Sequence, residues 1–295
     1  MSRWIVTLMC LGLFSSTGMA RIIDLNHGKE VSLGDLASEG PIFVVGEQHY
    51  TDEIQKATAK LIAGIVRSQK NQNSFDFGWE FLNIDQKEQV NMALKRYWNK
   101  ETSTKEALGE LLGPYEGNQS YGVVLEAIRR LNGSVIPLNL SRSIKSQVSQ
   151  GGMEALDPEW LPQDFALGSL SYYERFLDAM GGHGGAQVDN YFAAQSLVDN
   201  TMAKELLAER QFPLSFLLCG SFHSDYRHGV VEELERRSPF NPTVITFVSD
   251  HGQTTAEIIS ELQDERYGLR ADFAVAVKSN NQLNPELLTQ EVSHD

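Results

Sequence analysis

The stretch Phe43-Val44-Val45-Gly46-Glu47-Gln48-His49 places an apolar, β-branched run directly before a glycine, a carboxylate, an amide and an imidazole. Such a run is typical of a buried strand that ends in a polar loop. Residues 53–67 then repeat apolar side chains at helical spacing, which predicts an amphipathic helix. A strand followed at once by such a helix is the unit of a parallel sheet covered by helices. The stretch therefore predicts an α/β fold, with Glu47 and His49 at the carboxyl end of a strand.

Further apolar runs along the chain extend this pattern. With residues 42–45, the predicted strands cover 75–81, 134–138, 214–219, 243–248 and 271–277, and predicted helices cover 84–98, 121–131 and 190–209. The connections 83–130 and 141–212 are longer than a minimal strand-to-strand crossover needs. The sequence therefore predicts a single α/β domain over residues 21–278, a mainly parallel sheet covered by helices, with an inserted helical cap over the carboxyl ends of the strands.

The composition excludes some classes of partner. The chain has 295 residues, 41% of them hydrophobic, and carries 25 Lys and Arg against 39 Asp and Glu, a net charge of −14. A chain this acidic has no general attraction for nucleic-acid phosphates, so we expect no nucleic-acid partner. Residues 279–295 form a polar tail, for which disorder is expected.

The first twenty residues resemble a secretory signal peptide. Arg3 precedes an apolar run over residues 4–14, and Gly18-Met19-Ala20 supplies small residues before a cleavage position. The apolar run is shorter than a membrane-spanning helix requires, although an uncleaved membrane anchor remains the alternative. We expect an exported protein without an integral membrane span, located in the periplasm.

Polar side chains end several of the predicted strands. Glu80 ends the second, Asn139 ends the third, and His223 follows the fourth. Because the carboxyl ends of parallel strands share one edge of a sheet, these side chains should converge with Glu47 and His49. Two carboxylates and two imidazoles suit acid–base catalysis or metal binding. The alternative is that strand ends simply expose polar side chains to water.

Four stretches together resemble the ChaN family of iron-regulated haem-binding proteins, within the wider Tiki and erythromycin-esterase superfamily. They are Gly46-Glu47-Gln48-His49; Val135-Ile136-Pro137-Leu138-Asn139-Leu140; Ala194-Gln195 with Asp199 and Met202-Ala203; and Gly220 with His223 and Gly229-Val230. The resemblance covers residues 42–248. Many relatives carry a lipid-attachment motif, and this signal peptide lacks one. The resemblance implies haem binding, with haem held at a subunit interface in a possible homodimer.

The predicted helix 190–209 carries a stripe of mixed character. Gln195, Asp199, Met202 and Leu206 fall on one face at helical spacing. We expect Gln195 and Asp199 to hydrogen-bond the loops that follow the strands, with direct ligand contact as the alternative.

The predicted cap contains Tyr172-Tyr173, Phe176 and Met180, followed by Gly181-Gly182-His183-Gly184-Gly185. Aromatic and thioether side chains suit a flat apolar ligand, and phenolate and imidazole both ligate haem iron. Core packing and a plain mobile loop are the alternatives. Together with the resemblance, this pattern predicts haem contacts from Tyr173, His183, Tyr172, Met202, Arg142 and Arg227. Tyr173 and His183 are the predicted iron ligands, Tyr172 competes with Tyr173, and the arginines could pair with propionates or cap loops.

Two functions remain open at this point. The first is an exported haem-binding protein in iron or haem uptake, with haem in a cleft between cap and sheet. The second is a hydrolase, metal-assisted or not, that uses Glu47, His49, Glu80 and His223. Relatives in the superfamily hydrolyse lactones and peptides, but kinship of fold alone does not establish a reaction. We prefer the haem-binding hypothesis.

Overall fold

The computed structural model describes residues 20–69 and 74–278 of the chain. In these residues the strands are β1 (Arg21–Asp24), β2 (Lys29–Val31), β3 (Ile42–Glu47), β4 (Phe75–Asn83), β5 (Gly133–Asn139), β6 (Ser215–Gly220), β7 (Thr243–Ser249), β8 (Gln263–Asp264), β9 (Gly268–Leu269) and β10 (Phe273–Val277). The helices are α1 (Leu33–Ala37), α2 (Asp52–Ser68), α3 (Lys87–Trp98), α4 (Thr104–Leu112), α5 (Gly122–Arg130), α6 (Arg142–Gly151), α7 (Leu170–Met180), α8 (Val188–Glu209), α9 (Val230–Arg237) and α10 (Thr255–Glu261).

The central sheet has eight strands in the order β2-β1-β10-β7-β3-β6-β4-β5. The strands from β10 to β5 pair in parallel, and β1 pairs antiparallel with both β10 and β2. The fold is therefore α/β with a mainly parallel sheet, as the sequence predicted.

The six predicted strands are present, with ends that shift by at most two residues. Strands β1 and β2 were not predicted, because each is short and carries charged side chains. The predicted signal peptide, apart from Ala20, and the predicted tail 279–295 lie outside the described residues.

The sheet separates two apolar layers. Along β3, Phe43 and Val45 contribute to one layer, while Ile42 and Val44 contribute to the other. This alternation follows from the two-residue period of a strand. The first layer packs against helices that include α2 and α5, and the second against helices that include α8 and α9. Because both faces of the sheet are covered, its polar chemistry is concentrated at the ends of the strands and on the helices.

The long connection between β5 and β6 covers a face of the sheet as well as the strand ends. Helix α8 packs its apolar residues against the sheet, whereas α7 reaches the loop that follows β6. Within the part of the chain that is described, no helix is both long and apolar enough to cross a bilayer.

Candidate functional site

The carboxyl ends of β3, β6, β4 and β5 form one edge of the sheet, which we call the rim. Glu47 ends β3, Asn139 ends β5, Glu80 lies near the end of β4, and His223 lies in the turn directly after β6. Since these four strands are neighbours and parallel, their ends meet as the sequence predicted. The side chains of Glu47, Glu80, Asn139 and His223 are all buried.

Glu47 accepts hydrogen bonds from three side chains. His49 donates from Nδ1 over 3.0 Å, Gln55 donates from Nε2 over 2.6 Å, and the hydroxyl of Tyr121 also donates to the same carboxylate. Burial, and then the charge of Glu47, raise the pKa of Tyr121 well above its usual range. The phenol therefore stays protonated and fixes the carboxylate as an acceptor.

His223 lies between two carboxylates. Its Nε2 is 3.2 Å from Oε1 of Glu80, and its Nδ1 is 2.6 Å from Oδ1 of Asp199. Burial alone would lower the pKa of His223, but the two carboxylates outweigh it and raise that pKa well above its usual range. Burial also opposes the charge on Glu80, yet His223 lowers the pKa of Glu80 to about 2. Burial raises the pKa of Asp199, although the charge of His223 acts against that rise. The group therefore pairs a buried imidazolium with the ionised carboxylate of Glu80 and with Asp199.

Helix α8 holds this cluster from the side opposite the strands. Oδ2 of Asp199 accepts a hydrogen bond of 3.0 Å from the hydroxyl of Tyr172, and Gln195 donates to that hydroxyl over 3.1 Å. The same amide nitrogen of Gln195 lies 3.1 Å from Nδ1 of His223. The prediction is therefore confirmed for Asp199, which bonds His223 in the turn after β6, whereas Gln195 donates to Tyr172 of α7.

Two glycines allow this close packing. A Cβ on Gly229, whose φ is +59°, would lie 2.7 Å from the carbonyl oxygen of His223 and 3.0 Å from Asp199. A Cβ on Gly46 would lie 2.2 Å from the hydroxyl oxygen of Ser224. Only glycine lets the backbone approach the cluster this closely.

The two adjacent tyrosines of α7 lie on different faces of the helix. Tyr172 is fully buried, whereas Tyr173 is half-buried on the outer face of the helix. Leu170 and Leu177 share that outer face with exposed fractions of 72% and 38%. The ring of Tyr173 packs edge-on against Phe192 with centroids 4.9 Å apart, and its hydroxyl donates to Asp189. The outer face of α7 thus presents a phenol between exposed leucines.

His183 lies three residues beyond the end of α7 and is exposed. Its backbone N–H donates to the carbonyl of Met180 over 2.9 Å. The glycines around it adopt positive φ, as at Gly182 and Gly184, which turns the chain sharply at this point. The imidazole is consequently exposed to solvent in the turn that follows α7.

The remaining predicted haem contacts lie in different surroundings. Met202 is fully buried in an apolar layer of the sheet, and Arg142 is exposed at the start of α6. Arg227 binds Asp272 over 2.5 Å and Glu235 over 2.6 Å. It lines a cavity of about 370 Å³ near the amino-terminal ends of β7 and β10, away from the rim.

The carboxylates and imidazoles of the rim were predicted to suit acid–base catalysis or metal binding. No group of three or more His, Cys, Asp and Glu side chains in the described ranges could hold a metal ion.

Tyr121 and Gln55 complete the Glu47 group, but sequence reasoning placed them only within helices. Tyr121 lies at the start of α5, 74 residues after Glu47, and the sequence around it contains no pattern that predicts their hydrogen bond.

Comparisons with known proteins agree with this architecture. The profile of a family described as haem-binding uptake, Tiki superfamily, ChaN matches residues 34–234. The solved structure "Cofacial heme binding to ChaN of Campylobacter jejuni" is similar with a TM-score of 0.67 and 16% identity, and the match covers 89% of this chain and 98% of that chain.

A second similar structure is the type III effector HopBA1, with a TM-score of 0.46 and 13% identity over 88% of this chain and 97% of that chain. At these values the second match supports no argument. No curated protein sequence matches the chain.

Proposed function

Because the chain belongs to the ChaN family of haem-binding uptake proteins in the Tiki superfamily, we propose that it is an exported haem-binding protein that serves in iron or haem uptake. The predicted signal peptide supports export. The observation that carries the proposal is the outer face of α7, where Tyr173 lies between the exposed side chains of Leu170 and Leu177.

Each part of this face suits haem. The leucines offer apolar area to a flat macrocycle, and a phenolate oxygen is a known donor to haem iron. His183 follows the same helix closely and provides an imidazole that solvent can reach. We therefore assign Tyr173 as the first iron ligand and His183 as the second candidate. Neither arginine is assigned to this face, because Arg142 lies at the start of α6 and two carboxylates already neutralise the charge of Arg227.

A second copy of the chain fits the shape of such a site. A haem that lies on one helix face leaves its other face uncovered, and apolar area of this kind is covered most simply by a symmetric partner. The ChaN protein of Campylobacter jejuni binds haem cofacially. We propose that haem links two copies of this chain as well.

The test is a haem titration of purified protein followed by its absorption bands. Tyr173→Phe and His183→Ala should each shift the bands, and the double variant should lose affinity beyond either single change, because the spectrum reports what touches the iron. Tyr191→Phe removes another phenol from the start of α8 and is the matched control. Bands that are identical in parent, single and double variants would refute the assignment.

A hydrolase at the rim is the second candidate. The observation in its favour is His49, a half-buried imidazole whose Nδ1 binds the buried carboxylate of Glu47, the arrangement of a general base with its orienting group. Turnover of activated esters that His49→Ala abolishes, while the haem bands stay unchanged, would support it. Equal rates for parent and His49→Ala would exclude it.

A further inference from the structure

A cluster of aromatic rings lies at the rim on elements other than α7. Tyr50 follows β3, Phe81 lies in β4, and Tyr115 precedes the short turn that leads into α5. The rings of Tyr50 and Phe81 are stacked, with centroids 5.6 Å apart and 18° between their planes. Tyr115 meets Tyr50 nearly at a right angle, with centroids 4.9 Å apart. We call these three residues the aromatic corner.

The corner is open to solvent, unlike the aromatic core beneath it. Tyr50 and Tyr115 expose 43% and 59% of their area, whereas Trp79 and Tyr121 are buried. Phe81 covers one face of the Tyr50 ring, and Tyr115 stands beside that ring as a wall. A floor and a perpendicular wall define a place where a flat ring can stack on one phenol and meet the other.

The backbone at Tyr50 is strained. Tyr50 has a φ of +59°, in the left-handed region that bulky side chains avoid. Strain of this kind persists where the surrounding structure imposes it, and it is concentrated at ligand sites. Tyr115 is also placed closely, because its ring lies against Gly117, where a Cβ would be 2.4 Å from the ring.

The corner lies directly beside the Glu47 group. The imidazole of His49 packs against Phe81 with centroids 4.6 Å apart, and it lies 5.8 Å from the ring of Tyr50. A ring bound in the corner would therefore rest next to the rim and not on the outer face of α7.

We propose that the aromatic corner is a second binding site, which takes a planar conjugated ring by stacking and needs no metal ligation. The choice of a porphyrin as that ring rests on the proposed function. The stacking site itself rests on the geometry of the three rings.

The experiment uses the full chain and metal-free protoporphyrin IX, whose binding is followed by fluorescence. Without iron, the probe reports ring contacts and not the ligands Tyr173 and His183. Tyr50→Gly and Tyr115→Ala should each weaken binding by about tenfold, because each removes one aromatic surface. Tyr115→Phe keeps the ring and should bind as the parent does.

Two controls accompany these variants, one for folding and one for the loss of an exposed ring elsewhere. Glycine suits the φ of +59° at position 50, which offsets part of the ring packing that Tyr50→Gly loses, and thermal denaturation should show a cooperative transition above the assay temperature. Phe240→Ala removes an exposed ring just before β7, at the end of the sheet opposite the rim, and should leave binding unchanged.

Two results would overturn the inference. One is the same protoporphyrin affinity in the parent, Tyr50→Gly and Tyr115→Ala, or no protoporphyrin binding by any of these three proteins. The other is binding that Leu170→Ser weakens while the corner variants do not, which would place the ring on α7. Neither result bears on the haem bands of the Tyr173 and His183 variants, so the proposed function is judged separately.

Discussion

The two faces of α7 differ in how their polar groups are satisfied. On the inner face, Tyr172 donates to Asp199, and Arg175 donates to the carbonyl of Phe222 over 2.5 Å, both inside the protein. On the outer face, Tyr173 bonds only at the surface, beside exposed leucines. Buried polar groups must keep their partners, whereas exposed ones can exchange them for a ligand. If the proposed haem site is correct, neighbouring residues of one helix divide stability and binding between them.

The largest expected effect is on the inner side, at the cluster that Tyr172 supports. His223→Ala removes the cation between Glu80 and Asp199 and leaves two buried carboxylates facing each other. We expect the free energy of unfolding to fall by about 3–5 kcal/mol in urea denaturation. His183→Ala, on the outer side, should change it by less than about 0.5 kcal/mol. Equal losses in both variants would remove the contrast between the faces.

The pH dependence of stability sharpens the same contrast. Glu80 has a pKa of about 2 in the folded protein against 4.5 for an unperturbed glutamate, so its contribution is complete above about pH 4.5 and is lost as the pH falls toward 2. The loss amounts to up to about 3 kcal/mol of unfolding free energy. His223, whose pKa is raised, contributes fully below pH 6.5 and progressively less as the pH rises above it.

Denaturation curves measured between pH 2 and pH 9 test this expectation. Glu80→Gln should flatten the acid arm, and the matched exposed variant Glu174→Gln should leave it unchanged. An acid arm of the same size in Glu80→Gln would show that other carboxylates cause the loss.

A smaller effect separates the adjacent tyrosines. Tyr172→Phe leaves the buried carboxylate of Asp199 without one donor, which should lower the free energy of unfolding by about 1–3 kcal/mol. Tyr173→Phe should change it by less than about 0.5 kcal/mol while it shifts the haem bands. The reverse pattern, in which Tyr173→Phe destabilises and Tyr172→Phe shifts the bands, would exchange their roles.

The smallest effect concerns the rim and haem. Glu47 lies at the base of the rim and is fully occupied by His49, Gln55 and Tyr121. Glu47→Gln should therefore keep haem affinity within about tenfold, roughly 1.4 kcal/mol. A hundredfold loss in a folded variant, measured by the same titration, would move the haem site to the rim.

Much of the fold could be predicted from the sequence, because buried parallel strands are continuous apolar runs. The strand over residues 75–81 is one example, and its observed form is β4, Phe75–Asn83. Strand β1 escaped prediction because Arg21 and Asp24 flank only two apolar residues. Its pairing with β10, more than 240 positions away, leaves no local pattern.

The site was predictable where the sheet fixes the positions of its residues, but not where the rotation of a helix decides them. Strand ends are fixed by the sheet, so the meeting of Glu47, Glu80 and His223 followed from parallel topology alone. The side on which each cap residue lies depends on the rotation of α7, and an adjacent pair such as Tyr172 and Tyr173 gives no local sign of which member faces inward.

The two outermost strands of the sheet limit how copies of the chain can associate. On one side, β2 has only three residues, and Lys29 and Glu30 are exposed. On the other, β5 carries Pro137, whose missing N–H is tolerated where no further strand pairs. Short, charged and proline-containing edge strands discourage strand-to-strand aggregation. Assembly by extension of the sheet is thus disfavoured, and the haem-linked pair proposed above would have to form through helical surfaces.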